Sequence, residues 1–334
     1  MNKYKVAICI PNYNMQDTLE KTILSALGQT YENIKIYILD NFSTDNSMNI
    51  INNYSSKYKN IIVLKNEYHL SMAENWNKLL RSINNNDFIN ILSADDILEK
   101  EYIEECISLY KKSSEPLSYI YSDRYNIINE KRINTEFFHD KTKIIDRDKA
   151  FLLNIIGFHT APCQLLINFK KLEEVGFLST KFGPASDMHL TLKLNSLGPV
   201  GYIKKRLVGY NISSGMTSNN KMLKYMSVLF YDLKINILNN YIPNNLKQFE
   251  HQLKLDVEYF CSKYCIKSGL SNYKKSGNIL DFKEAILLAG TYDKRIIDSD
   301  LFDYVIIKKE ACVNNIEKLV NKTFFHQKSI KRYI

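Results

Sequence analysis

Apolar runs recur at near-even intervals through the first third of the chain, at residues 4–10, 34–39, 61–64, 88–92 and 117–121. They are short and rich in Ile, Val, Tyr and Phe, as strands are. Between them, residues 18–27, 45–58, 71–81 and 97–110 space their apolar side chains with a helical period. This β-α alternation predicts an α/β architecture, a mostly parallel sheet flanked by helices. From 126 to 158 the pattern weakens and becomes charged, which predicts a loop-rich excursion over the site. A strand at 164–169, a helix at 187–197 and two short strands at 200–203 and 207–210 follow. Beyond about Met216 only long helical patterns remain, at 221–238, 246–268, 282–288 and 301–319. The reading is a first domain over residues 1–217 and a helical C-terminal region over 218–334.

Ligands of such sheets bind beyond the carboxyl ends of the strands. Polar clusters stand at three of those ends: Pro11-Asn12-Tyr13-Asn14, Asp40-Asn41-Phe42-Ser43-Thr44-Asp45 and Ser93-Ala94-Asp95-Asp96. Together they predict one site. The pair Asp95-Asp96 carries most of the chemistry, because adjacent carboxylates at a buried strand end repel one another and are costly to desolvate. A hard divalent cation, Mn2+ or Mg2+, removes that conflict and commonly bridges one or two carboxylates to a substrate's phosphates. The competing reading makes Asp96 the N-cap of the helix expected from Ile97.

With 334 residues, 45% hydrophobic and 24% charged, the chain has ordinary globular material for one large domain or two smaller ones. Neither a signal peptide nor a membrane-spanning run is expected, and the six cysteines are scattered without metal-site spacing. These features point to a reduced, cytoplasmic protein. The net charge of +9 favours an anionic partner. Nucleic acid is the weakest of the candidates, since no nucleic-acid motif or arginine-rich tract occurs. The basic end, Lys328-Ser329-Ile330-Lys331-Arg332-Tyr333-Ile334, is open to two readings, a peripheral contact with the inner membrane surface or a solvated tail.

The series Ile10-Pro11-Asn12-Tyr13-Asn14, Leu39-Asp40-Asn41-Phe42-Ser43-Thr44-Asp45, Leu92-Ser93-Ala94-Asp95-Asp96 and Ser186-Asp187 resembles the inverting glycosyltransferases of family 2, with the GT-A fold. Gln29-Thr30-Tyr31 and Asn75-Trp76-Asn77 are similar to further segments of that family, and the resemblance covers about residues 4–217. It implies a nucleotide-sugar donor, usually a uridine diphosphate sugar. It places Pro11, Tyr13 and Asn14 at the base, Asp40 at the uracil edge and Asp45 at a further nucleotide contact or at a helix cap. It implies that Asp96 coordinates the cation on the diphosphate, with Asp95 nearer the ribose or a metal-bound water. Asp187 matches the general base that takes a proton from the acceptor hydroxyl. His159 and His189 fall toward the acceptor side. The chain departs from the pattern at Ser93, where many members have Asp, and at Asn211 and Ser213, where an Arg and a His often serve the diphosphate. Hydroxyls, backbone amides or Lys204, Lys205 and Arg206 would have to serve instead.

The resemblance implies transfer to a saccharide or lipid-linked saccharide hydroxyl in cell-surface glycan synthesis. A second reading is an inactive nucleotide-sugar-binding partner whose C-terminal helices form an assembly surface. Retention of Asp40, Asp95, Asp96 and Asp187 argues against it. A sugar nucleotidyltransferase would need a glycine-rich phosphate loop, and residues 11–18 contain no glycine. The helical region reads first as self-packing, with an acceptor platform, a membrane-facing surface or a homo-oligomer interface as its functional alternatives.

Overall fold

The computed structural model describes residues 4–157, 160–212 and 220–324, with the backbone alone for 220–224. It divides into two compact units. One takes the chain up to Phe151 and again from His159 to Gly215; the other takes Leu152–Phe158 and the chain from Met216.

In the first unit, β1 (Val6–Asn12), β2 (Ile34–Asp40), β3 (Ile61–Lys65) and β4 (Phe88–Ile91) pair in parallel in the order β3-β2-β1-β4. The helices α1 (Leu19–Leu27), α2 (Ser47–Ser55) and α3 (Met72–Arg81) connect them. Every residue of β1 is buried, the expected state of a central parallel strand covered on both faces. Beyond β4 the sheet becomes mixed. β9 (Leu165–Asn168) runs antiparallel between β4 and β6 (Tyr119–Ile128), and β10 (Val200–Asn211) returns parallel to β6. Asn90 lies in the middle of β4 because its amide donates to the Cys163 and Leu165 carbonyls, both at 2.9 Å, where β9 begins.

Several sequence expectations are corrected here. The helix expected from Ile97 begins only as α4 (Tyr102–Tyr110), because Ile97–Leu98 form a short strand, β5, paired with Val208 and Gly209 of β10. Asp96 is therefore not its N-cap. The two short strands of 200–210 are one strand with a register shift between Ile203 and Arg206, where the cationic run Lys204-Lys205-Arg206 breaks the apolar pattern. The described part of the excursion, 126–157, carries regular elements. β6 continues to Ile128 and turns into β7 (Lys131–Asn134), and β8 (Lys143–Ile145) and α5 (Arg147–Ile155) follow. A helix not anticipated, α6 (Phe169–Val175), carries its own signals: Asn168 accepts from the Lys171 amide, and Gly176 ends it at φ 75°. The base-bearing helix expected over 187–197 is α7 (Ser186–Asn195).

The second unit consists mainly of α8 (Asn220–Asn240), α9 (Glu250–Ser276), α10 (Ile279–Tyr292), α11 (Asp300–Phe302) and α12 (Val313–Thr323). The helix expected over 301–319 is broken by a π turn at Asp303–Ile307 and by Lys309 at φ 58°. The apolar stripes pack on one another around Ile266, Phe282, Ile286, Ala289 and Ile316. Lys234 is buried within this unit, and its Nζ donates to the Asn154 and Ile155 carbonyls, which end α5. Among the described residues no helix is long and apolar enough to cross a membrane.

Candidate active site

The three polar strand ends meet. At the end of β1, the Asn12 amide donates to Asp40 Oδ1 at 2.9 Å and to the Ser43 hydroxyl at 3.2 Å. Asp40 Oδ2 accepts the Ser43 amide at 3.0 Å. Asp40, expected at a base edge, is fully buried with both oxygens engaged, so in this geometry it welds β1 to the loop after β2. Asn14 adopts φ 50° and continues that weld, donating its amide to Ser43 and accepting from Thr44. Pro11 is buried in β1. Tyr13 stands exposed with its ring centroid 4.4 Å from that of His69, which leaves an aromatic face open beside the strand ends. Asp45 accepts from the Gln16 and Ser47 amides, both at 2.9 Å. Desolvation raises its carboxyl, but these hydrogen bonds outweigh it and the net shift is downward. Asp45 thus holds the start of α2 against the segment after β1.

The third end is fastened from α1, where the Thr18 and Thr22 hydroxyls donate to the Ala94 and Asp96 carbonyls, each at 2.9 Å. Asp95 is half-buried. Asp96 is only 2% exposed, and its Oδ1 accepts the Asn211 amide at 2.9 Å. Burial, then the adjacent Asp95, pushes its carboxyl up to about 7; the Asn211 amide, the Cys163 thiol and the Arg124 guanidinium oppose the rise. A carboxylate in this setting gains from any further positive charge.

Asp187 lies in the first turn of α7, whose N-cap is Ala185. Asp187 therefore does not cap this helix, although an acidic residue in the first turn suits the helix dipole. Ser186 anchors this turn by donating to the Ser179 and Gly183 carbonyls. Desolvation pushes the Asp187 carboxyl up to about 6, opposed by the hydrogen bond from the Met188 amide at 2.7 Å. Desolvation first, then Asp96, Cys163 and last Asp187, push the Tyr210 hydroxyl up to about 12, against the pull of the Arg124 guanidinium. The Arg124 guanidinium lies 4.2 Å from the Tyr210 ring centroid and donates to Gln164 at 3.4 Å.

Arg124, Tyr210 and Asn211 were not legible as site residues. With β6 expected to end at Tyr121, Arg124 fell into a presumed loop; its only signal was a cation soon after an apolar strand. His189 is 4% exposed with its ring 4.4 Å from that of Phe182, so it packs in the interior and is not presented to an acceptor. His159 and Ser213 lie outside the described residues, as does the basic end.

Residues 7–176 match the family described as glycosyl transferase family 2. The chain belongs to that family. It is 25% identical over 355 residues to the glycosyltransferase GlyA of Streptococcus pneumoniae, covering 99% of this chain and 47% of that protein. It is 34% identical over 137 residues to the Escherichia coli UDP-Glc:alpha-D-GlcNAc-diphosphoundecaprenol beta-1,3-glucosyltransferase WfgD, covering 41% of this chain and 52% of that one. The chain thus spans about half the length of these curated relatives. Its fold is that of S. aureus TarS residues 1–349, solved in complex with UDP. The two share a TM-score of 0.66 at 14% identity over 97% of this chain and 92% of the other. The mixed sheet with flanking helices is accordingly a GT-A fold carrying a glycosyltransferase domain.

Proposed function

We propose that this chain is an inverting, metal-dependent glycosyltransferase that moves a sugar from a nucleoside diphosphate donor, a uridine diphosphate sugar, to a saccharide hydroxyl in bacterial surface-glycan synthesis. The carrying observation is the convergence of the polar ends of β1, β2 and β4, where Asn12 bonds Asp40 and Ser43, Thr18 and Thr22 hold the Ala94 and Asp96 carbonyls, and the half-buried Asp95 stands beside the buried Asp96. Among the described residues no group of three or more His, Cys, Asp and Glu is poised for a metal, and the acidic donors at the end of β4 are the pair Asp95 and Asp96. That donor set fits Mn2+ or Mg2+, which complete their shells with phosphate and water oxygens. When bound, the cation would neutralise charge developing on the departing diphosphate.

Exposure supports a different division of labour within the pair from the one the resemblance implies. Asp95 would be the direct ligand, while Asp96 holds the Asn211 end of β10 and adds charge from behind. Tyr13 supplies the base-facing surface, and Asp40, Asp45, Asn14 and Pro11 shape its loop. The transfer is a single displacement. The acceptor oxygen bonds to the anomeric carbon as the bond to the diphosphate oxygen breaks, and Asp187 receives the acceptor proton. Arg124 is the nearby cation suited to the diphosphate, in place of the Arg and His that the 210–218 segment lacks. The acceptor, lipid-linked or free, would draw on the helical region for further contacts.

Titration of UDP with Mn2+, Mg2+ or chelator tests this reading. Chelator is expected to weaken UDP binding at least 100-fold, and Asp95→Ala to do the same with Mn2+ present. Asp96→Asn should retain metal-dependent binding within about 10- to 100-fold, as for an outer partner. The reverse ranking would return the ligand role to Asp96. If UDP and UDP-sugars fail to bind with either metal, the inactive assembly partner becomes the better account. Arg124→Gln is expected to weaken UDP about 10- to 100-fold, the loss for a charge-assisted hydrogen bond, with little effect on uridine. Equal losses for UDP and uridine would assign Arg124 to packing against Tyr210.

A further inference from the structure

A groove of about 730 Å³ runs along the exposed face of α3, with the segment after α6 as its opposite wall. Lys78, Arg81 and Ser82 line one side, Ser179 and Thr180 the other, and Glu74 stands at one end. The walls are fixed to one another. The Asn77 amide donates to the Leu178 carbonyl at 2.9 Å and accepts the Leu178 amide at 3.0 Å. Phe177 is held at φ 64°, a strained conformation for a bulky residue. Its carbonyl accepts from the buried Lys193 ammonium at 3.0 Å, and its ring lies 5.5 Å from the Arg81 guanidinium. A strained segment pinned from two sides makes a preformed wall.

The groove also connects to the chemistry. Ser179, on its wall, accepts through its carbonyl from Ser186, the residue before Asp187. At the other end, the Glu74 carboxylate is engaged by the Ser71 hydroxyl and amide, next to Leu70, which pairs with Asn41 of the donor-side loop. Those bonds keep Glu74 ionised, so two cations face one carboxylate and the groove retains a net positive charge beside several hydroxyls. A ligand bearing both negative charge and hydroxyl groups satisfies it.

We propose that this groove holds the anionic part of the acceptor glycan, a saccharide chain carrying uronate or phosphodiester groups, as it runs away from Asp187. The inference rests on the transferase reading and is tested apart from it. A chondroitin hexasaccharide, a glycerol phosphate hexamer and neutral maltohexaose are titrated into the full chain at low and high salt, with UDP and Mn2+ titrated in parallel. At least one anionic probe should bind in a salt-dependent manner. The double variant Lys78→Glu/Arg81→Glu should weaken it tenfold or more, and Lys78→Arg/Arg81→Lys should keep it, both with unchanged circular dichroism. The two anionic probes separate uronate from phosphodiester as the recognised group. Binding of maltohexaose as tight as that of the anionic probes, no binding of any probe, or a charge-reversed variant within twofold of the parent would each overturn the proposal. Loss of UDP binding with the groove intact would sink the transferase reading and leave the groove as an anionic-glycan site.

Discussion

Asp187→Asn is expected to lower transfer about 10²- to 10⁴-fold while UDP-sugar affinity stays within a few-fold of the parent, as when a general base is removed without loss of shape. The pH profile carries the sign. A base works in its ionised form, and with its carboxyl pushed up to about 6 by desolvation, the rate should rise with pH through that value and level above it. A second consequence runs the other way. An Asp with a raised folded value binds more protons folded than unfolded between about 4 and 6, so it erodes stability as pH rises through that window. Asn removes the penalty, and the variant should be about 1–3 kcal/mol more stable than the parent at pH 8 and nearly equal at pH 4. Rate and urea-denaturation profiles measured on the same two proteins check both. An Asp187→Asn enzyme that keeps full kcat, or that is less stable at pH 8, would remove Asp187 from the base role.

The burial that raises the Asp187 carboxyl also bears on which parts of the fold were legible in the chain. Strands β1, β2 and β4 are buried almost throughout, as their continuous apolar runs display, and their polar ends carry Asn, Asp and Ser in local order, so the convergence of three strand ends could be read directly. What escaped depends on pairing across distance. Ile97–Leu98 continue a helical pattern locally, yet their backbone is taken by Val208 and Gly209, more than a hundred residues on. Asp40 reads as a ligand until Asn12 and Ser43 are seen to occupy both of its oxygens. Asp95 and Asp96 are chemically identical in sequence; only the Asn211 amide and the depth of Asp96 separate a half-buried carboxylate from a buried one. Arg124 was hidden for a related reason, because its relevance comes from Tyr210 across the β6–β10 pair.

In the helical unit, Gly269→Ala should be destabilising, against the usual expectation for a glycine inside a helix. Intrinsic propensity alone favours Ala by about 1 kcal/mol. A Cβ at Gly269 would lie 2.4 Å from the Ala285 Cβ and 3.3 Å from Phe282 Cδ2, where carbon atoms pack at about 3.5–4.0 Å. Helices α9 and α10 must then separate by roughly 1 Å, and such a gap forfeits a quarter to a half of each contact energy it opens. The contacts exposed to that loss are those of Cys265, Ile266, Leu270 and Ile286, all buried around the crossing. Overpacking of this kind costs about 1–3 kcal/mol, occasionally more, and a 2.4 Å approach belongs at the upper end, so a net loss of about 1–2 kcal/mol is expected after the propensity gain. The chain has two compact units, so one melting temperature would blur the effect. Hydrogen exchange of α9 and α10 amides reads it locally, with protection in β1 and β2 as the internal control. Gly269→Ala/Ala285→Gly moves the missing methyl to the other helix and should return protection to within about 0.5 kcal/mol of the parent, since the propensity gained at residue 269 offsets that lost at residue 285. If the single variant is as protected as the parent, the close crossing at Gly269 is wrong, and the register of α9 on α10 must be redrawn.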